Sequence, residues 1–333
     1  MNKKRRFFII LLLILLLFVS VCSGILFGSV NVGFSDIWAV LTAKDTSSTA
    51  CTLLKTVRIP RVFGGLFAGV GLACAGVILQ GVMNNSLASP NTIGVNSGSG
   101  FAVMLAMIFC PANSTALPIF AFLGALLTTL AIFLLASLSD SSRTTIILAG
   151  ITVSTFLNAA INTVKLLDTD ITINLTSFLI GTLSGLTAQR ILLPGFCIIG
   201  AFLLAMLLSV PLNLLGLGDD IAHSLGLHVS LTRFLLLVLS SVLAGCVVSY
   251  AGLLSFIGLV VPHICRRLFG NDARFLLPCS ALLGASFVIL CDLVGRILFA
   301  PFELPAGIIM SFIGGPFFLY LLLKKKGGRR VHA

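Results

Sequence analysis

PLNLLGLGDDIAHSLGLHVS, residues Pro211–Ser230, is the stretch on which the reading of this chain turns. It holds Asp219, Asp220, His223 and His228, in a sequence with only 10 acidic residues and 4 histidines. On either side lie apolar runs, Ile191–Val210 and Leu231–Tyr250, each near the ~20 residues that cross a bilayer. The patch itself is too short and too polar to cross. Asp219 and Asp220 suit a helix start, where carboxylates meet exposed backbone donors and the positive end of the helix dipole. Gly226 suits the stop, in the left-handed conformation just past the last turn. The patch therefore reads as a short helix lying at the membrane face between two spanning helices. On these residues alone the plainer reading, a solvated loop, has the advantage.

The composition supports the membrane frame. Of 333 residues, 58% are hydrophobic and 9% charged, and the mean hydropathy is +1.16. A soluble chain carries about 25% charged residues, so the surplus apolar surface must face lipid. The apolar runs fit ten crossings joined by modest loops, which makes the fold all-α. The net charge of +11 invites a nucleic-acid reading, but the basic residues flank apolar runs, as membrane topology demands. The 9 cysteines are scattered, without CxxC or metal-ligand spacing. They read as buried thiols, with a Cys51–Cys110 bridge outside the membrane as a weak alternative.

Lys3, Lys4, Arg5 and Arg6 precede an uncharged stretch, Phe7–Ser35. It exceeds the ~7–15 apolar residues of a signal peptide, so it reads as an uncleaved first span over about 7–30, with the N-terminus in the cytoplasm. Asp36–Thr56 reads as an outer loop. The second span, roughly Val62–Met83, is rich in small residues, and Gly65 and Gly69 make a step that lets helix backbones approach closely in lipid. Asn84–Gly94 reads as an inner loop, followed by spans ending near Phe109, over Pro118–Ser137 and over Thr144–Val164. Ser139–Arg143 is an inner turn, and Lys165–Gln189 lies outside, with Phe178–Gly185 expected as a helix dipping into the outer face. After the patch come spans at Leu231–Tyr250, Gly252–His263, Phe275–Leu293 and Leu304–Leu323. This threading puts seven basic residues outside (Lys44, Lys55, Arg58, Arg61, Lys165, Arg190 and Arg296). The rest of the 21 fall inside, the bias expected of a cell-membrane protein with both termini cytoplasmic. The whole chain, 1–333, reads as one transmembrane domain. Leu72–Met83 and Leu243–Leu254 share a spacing of small residues in opposed directions, which suggests an inverted repeat, its second copy at about 231–323.

Several segments together resemble one family, the FecCD-type permease subunits of ABC importers for ferric siderophores, haem and cobalamin. They are RIPR (Arg58–Arg61), NSLASPNTIG (Asn85–Gly94), the Gly216–Leu227 patch, FIGLVVPHICR (Phe256–Arg266) and ELPAGIIMSFIGGPFFLYLL (Glu303–Leu322). Two positions depart from the family pattern: Ser86 replaces the first proline of NPLAxP, and Phe178 stands where a tryptophan is usual. The resemblance implies two permeases, identical or paralogous, around a central path, two cytoplasmic ATPases and an extracytoplasmic binding protein. It also implies that Gly216, Gly218, Asp219, Asp220, Ala222, Leu225 and Gly226 form the element coupled to the ATPase. Arg58, Arg61 and Arg296 would receive glutamates of the binding protein. Asn85, Pro90, Gly94, Gly98, Gly181 and Gly185 are the expected path residues. The chain has no GxxxxGK[ST] phosphate loop, so ATP would be used by the partner subunit. The expectation is a transport subunit with no catalytic residues, no cofactor and no bound metal, and a ferric siderophore as cargo.

Two other classes remain in view. An ion-coupled secondary transporter needs ionisable residues at membrane depth. The acidic residue inside an apolar run is Asp292, and an i,i+4 pair with Arg296 accounts for it. An intramembrane enzyme needs a nucleophile with a base, or a metal set, and His263 after Pro262 is accompanied by neither. Copurification with an ATPase separates these readings from the first.

Overall fold

The computed structural model describes residues 3–28, 49–111, 113, 115–138 and 142–326, and among them every regular element is helical. Helix α1 is Lys3–Leu26 and α2 is Thr49–Leu53; a π-helical turn, Leu54–Arg58, then leads into α3, Ile59–Val82. A 3₁₀ turn at Pro90–Ile93 precedes α4, Val95–Phe109, followed by α5 (Ala116–Ser137), α6 (Arg143–Leu167) and α7 (Thr169–Ile180). Next come α8 (Ala188–Leu207), the short α9 (Ser209–Leu215) and α10 (Asp219–Ser224), then α11, Val229–Ala251. The chain closes with α12 (Ile257–Phe269), α13 (Ala273–Ile297) and α14 (Ala306–Lys326).

Seven of these runs are long and apolar enough to cross a membrane: α1, Cys51–Val82, α5, α6, α8, α11 and α13. With α4, α12 and α14 the described residues offer the ten elements that the threading needs. The 13 residues of α12 rise only ~20 Å, short of the ~30 Å hydrocarbon core. The span expected at Gly252–His263 is thus half irregular, and its helix begins at Ile257.

Burial sorts the helices into an inner and an outer set. In Cys51–Val82 and in α11, 78% of the most apolar window is buried, against 17% in α1 and α6. A helix apolar all round and buried all round is a core helix, and α3 is the centre of this one. It packs on α13, α11, α12 and α8. A Cβ on Gly69 would collide with the Gly284 carbonyl of α13, and one on Gly76 would collide with the Gly258 carbonyl of α12. Close backbone approach is how helices associate where lipid removes the hydrophobic drive, and the small residues of the second span serve that purpose.

Helix starts follow local chemistry. Ser142 accepts from Thr145 N to open α6, Asp168 accepts from Ile171 N to open α7, and Asp272 accepts from Arg274 N to open α13. Elsewhere the threading needs correction. The first span begins at Lys3, and the end of the expected outer loop is already helical from Thr49. Of Phe178–Gly185 only Phe178–Ile180 is helical, as the last turn of α7, and the chain is irregular from Gly181. Leu72–Met83 is helical through Val82, whereas Leu243–Leu254 leaves its helix after Ala251, so the two candidate repeat segments differ in form. Cys51 and Cys110 are not bridged. The expectations for Asp36, Lys44, Ser139–Ser141, Arg329 and Arg330 lie outside the described residues.

Candidate functional site: two charged ends and a broken-helix junction

Chemistry-bearing side chains gather in three places along α3 and its neighbours. At one end stand Arg58, Arg61 and Arg296, the expected docking residues. All three are buried, at 3%, 4% and 3% exposure. Arg61 Nε lies 3.0 Å from each oxygen of Asp292, and its Nη1 lies 2.7 Å from Glu303 Oε2. Arg296 reaches the same Asp292, Nε to Oδ2 at 3.2 Å, so the expected i,i+4 pair is present. Arg58 Nη1 donates to Ile25 O and Leu26 O at 2.8 and 2.7 Å, and Arg296 Nη2 donates to Gly24 O at 3.1 Å. The last turn of α1 thus caps two guanidiniums. Three cations face two carboxylates here, and the carbonyl end of α1, with about half a negative charge, lies against the excess. The resemblance makes these arginines receivers of a partner's glutamates; within this chain they are folded inward onto Asp292, Glu303 and the end of α1. Glu303, whose side chain is 30% exposed, is the group of this cluster that solvent reaches most.

The opposite end holds the Pro211–Ser230 patch as two short helices, α9 and α10. Helix α10 starts where expected, but Gly218 occupies the capping position with φ +116°, and no side chain caps the helix. Asp219 is engaged otherwise. Its Oδ1 takes Arg143 Nη2 at 2.8 Å and its Oδ2 takes Arg233 Nη2 at 2.6 Å. Arg143 Nη2 also donates to Leu215 O at 2.8 Å. One carboxylate therefore ties α10 to the starts of α6 and α11. Partial burial raises the Asp219 pKa, but hydrogen bonds and charge from Arg233 and Arg143 outweigh it and hold the carboxyl below its usual range. Gly226 ends the element at φ +83°, with Leu227 N donating to Ala222 O at 3.1 Å and Gly226 N to His223 O at 2.9 Å. That crossed pair is a Schellman stop. Helix α10 buries Ala222 and leaves Ile221 and Leu225 exposed, with Leu217 just before it. Asp220, His223 and Gly226 are exposed beside them, and Gly216 closes α9.

The third place was not foreseen as a unit. Three breaks meet between α7 and α8, between α11 and α12, and at the start of α14. Thr182 N donates to Ala251 O at 2.8 Å, Leu253 N to Phe178 O at 3.0 Å and Gly307 N to Gly181 O at 3.2 Å. A Cβ on Gly307 would fall onto the Ile180 carbonyl, and Phe256 holds a left-handed φ of +68° against Gly314. Irregular backbone at membrane depth is tolerated where it is buried in protein or lines a cavity. Here both hold, because Leu179, Ile180, Ser255, Gly307, Ser311 and Phe312 line a groove of about 400 Å³. A sequence signal existed in glycines 181, 252 and 307, each near the end of an apolar run, but nothing in one dimension pairs them.

Of the expected path residues, Gly181 belongs to this junction and Gly185 faces open space. The others are packing or turn residues. A Cβ on Gly98 would collide with Thr128 Oγ1, Gly94 starts α4 at φ +74° against Ile132, and Pro90 is buried at the 3₁₀ turn. Asn85 Oδ1 accepts from Leu87 N at 3.0 Å and so closes its own turn. The polar face that sequence reading missed is on α6. Thr152, Thr155, Asn158 and Asn162 are exposed at helical spacing, interleaved with the exposed Leu148 and Ile151 and opposite the buried Ile146, Gly150 and Ile161. Polar side chains on a spanning helix belong toward a bundle interior or water-filled space.

Similarity to known proteins accords with this geometry. The profile of the FecCD transport family matches residues 12–324. The iron-uptake system permease protein FeuB of Bacillus subtilis is 35% identical over 315 residues, 94% of each chain. The Fe(3+)-citrate import system permease protein YfmE of the same organism is 37% identical over 272 residues, 81% of each chain. The hemin transport system permease protein HmuU of Yersinia pestis is 33% identical over 308 residues, 91% of each. Among solved structures, a metal-chelate type ABC transporter in an inward-facing conformation superposes with a TM-score of 0.83 at 29% identity. That alignment covers 95% of this chain and 99% of the other.

Proposed function

The chain belongs to the FecCD transport family, and from that premise we propose that it passes an iron chelate, a ferric siderophore first among the candidates, from an extracytoplasmic binding protein to the cytoplasm. It is a multi-pass membrane protein and a transport subunit. In this reading the charged Asp219 end faces the cytoplasm with both termini, and a separate ATPase supplies the work. A second permease, a copy or a paralogue, completes the path.

The observation that carries the reading is the construction of α10. Asp219, clamped by Arg143 and Arg233, holds a helix that buries Ala222 and offers Ile221 and Leu225 outward. An apolar pair offered outward on a helix tied down by two ion pairs fits a soluble partner that covers it, and the sequence holds no GxxxxGK[ST] loop of its own. The path is then bounded by the Thr152–Asn162 face of α6 and the groove of α7 and α14, with Gly185 at its margin. At the other end Arg58, Arg61 and Arg296, held by Asp292, Glu303 and the last turn of α1, lie at the end that receives the binding protein in this reading.

Coexpression with candidate ATPases tests the main claim. A stable complex should form, and Ile221→Asp should dissolve it while the permease still reaches the membrane. Titrating the cognate binding protein with ferric siderophores, ferric citrate, haem and cobalamin then separates the siderophore from the alternatives. A permease that transports a chelate in vesicles on an ion gradient alone would overturn the reading in favour of a secondary transporter.

A further inference from the structure

Helices α9 and α10 are fastened to different parts of the core. On α9, Asn213 Nδ2 donates to Asp272 Oδ1 at 2.8 Å, and Asn213 Oδ1 accepts from Ala273 N at 2.8 Å, which ties α9 to the start of α13. On α10, Asp219 Oδ2 takes Arg233 Nη2 of α11 at 2.6 Å, and the Arg233 side chain is 3% exposed. Between the two helices runs Gly216–Leu217–Gly218. Gly218 holds φ +116°, and a Cβ there would meet no atom within 4 Å. The link therefore contains a residue of wide backbone freedom with open space around it.

One nitrogen stands across this link. Nη2 of Arg143, the first residue of α6, lies 2.8 Å from the carbonyl of Leu215, the last residue of α9. The same nitrogen lies 2.8 Å from Oδ1 of Asp219, the first residue of α10. It carries two hydrogens, so each acceptor takes one. Turning α10 about the glycines changes the separation of those acceptors, and hydrogen bonds weaken steeply outside a narrow range of distance and angle. Arg143 keeps both bonds only if α6 shifts with α10. Among the described residues it is the side chain that bonds α6 to either short helix; α6 otherwise packs on α4, α5 and α7. We infer that Arg143 is a positioning residue, which reads the angle between α9 and α10 and sets the inner end of α6 by it. The inference rests on the reading of α10 as the element coupled to an ATPase. The two arms of Asp219 then have unequal tasks. The shielded Arg233 arm anchors α10 to the core, and the Arg143 arm, 19% exposed, passes its displacement to the helix that bears Thr155 and Asn158.

The test uses the full chain in complex with its ATPase, in lipid nanodiscs, with and without a non-hydrolysable ATP analogue. Spin labels carried by a non-natural amino acid, which leaves the 9 native cysteines in place, are set at the exposed Thr144, Ser224 and Arg274. The Ser224–Arg274 distance follows α10 against the core, and the Thr144–Arg274 distance follows α6. Both should shift when the nucleotide binds. In Arg143→Met the Ser224 shift should persist and the Thr144 shift should vanish. Uptake per ATP hydrolysed should fall roughly tenfold, the worth of one charge-assisted hydrogen bond. Arg143→Lys, whose ammonium has donors enough for both acceptors, should restore part of the Thr144 shift and of the uptake. A Thr144 shift that survives Arg143→Met, or a native complex in which Ser224 moves and Thr144 does not, would overturn this inference and leave the coupling reading standing. A Ser224 label that stays put in the native complex would overturn both.

Discussion

Asp292 on α13 and Arg61 on α3, 231 positions apart in the chain, form a buried two-point pair, with Nε 3.0 Å from both carboxylate oxygens and Nη2 2.9 Å from Oδ1. Asp292 also holds Arg296, so one carboxylate orders two of the three arginines at this end. Removing one partner of a buried pair strands the other and costs about 3–5 kcal/mol. Asp292→Ala should lower the thermal midpoint sharply, and Asp292→Ala with Arg61→Met should lower it less than the sum of the single changes. Additive losses in that cycle would show that the pair is not coupled.

The clamp at the other end is exposed enough for a different outcome. The Asp219 side chain is 42% exposed, against 19% for Arg143 and 3% for Arg233, and asparagine keeps an oxygen that can accept from the buried Arg233. Asp219→Asn should therefore leave the folded yield near normal while transport-coupled ATP hydrolysis falls. The folded pKa lies below the unfolded value, so the clamp's stabilisation is fully present above the ordinary carboxylate range near ~3.9. It disappears as pH falls through the lower folded pKa. Coupling should be flat from neutral pH down to mild acid, as measured in reconstituted vesicles.

Gly226 offers a cleaner test, because a Cβ added there would meet no atom within 4 Å and only its φ of +83° opposes a side chain. The left-handed conformation costs a non-glycine residue roughly 1–3 kcal/mol, with asparagine at the low end and β-branched residues at the high end. Gly226→Val should uncouple ATP hydrolysis from uptake at normal membrane levels, and Gly226→Asn should retain most activity. Equal behaviour of the two variants would mean that the Schellman stop does not matter.

Gly98 and Asn158 make a contrasting pair. A side chain on Gly98 meets Thr128 and the Gly124 carbonyl, so Gly98→Leu should deplete the protein from the membrane. Asn158→Leu and Asn162→Leu should leave protein levels intact and reduce uptake. In a cysteine scan Thr155→Cys should react with a membrane-impermeant thiol reagent, while Leu203→Cys on the exposed apolar side of α8 should not. A Thr155→Cys as unreactive as Leu203→Cys would place the α6 face in lipid.

Much of the architecture was legible in one dimension. Apolar runs, basic flanks and turn residues located most of the long helices to within a few residues, because in lipid each span must satisfy its backbone internally, but the second run starts at Cys51, well ahead of the expected Val62. The glycine stop at Gly226, the helix start at Asp219 and the Asp292–Arg296 pair were equally legible, since each depends on residues within a turn or two. Tertiary structure decided the rest. Whether Arg61 points outward or inward depends on Asp292 and Glu303, and whether Gly98 lines a passage or a helix crossing depends on Gly124. The junction of Gly181, Gly252 and Gly307 joins carbonyls and amides from three distant breaks, which no local pattern encodes. Local backbone chemistry is written in neighbouring residues, whereas burial and charge partnership are properties of helices that the chain brings together only after they have formed.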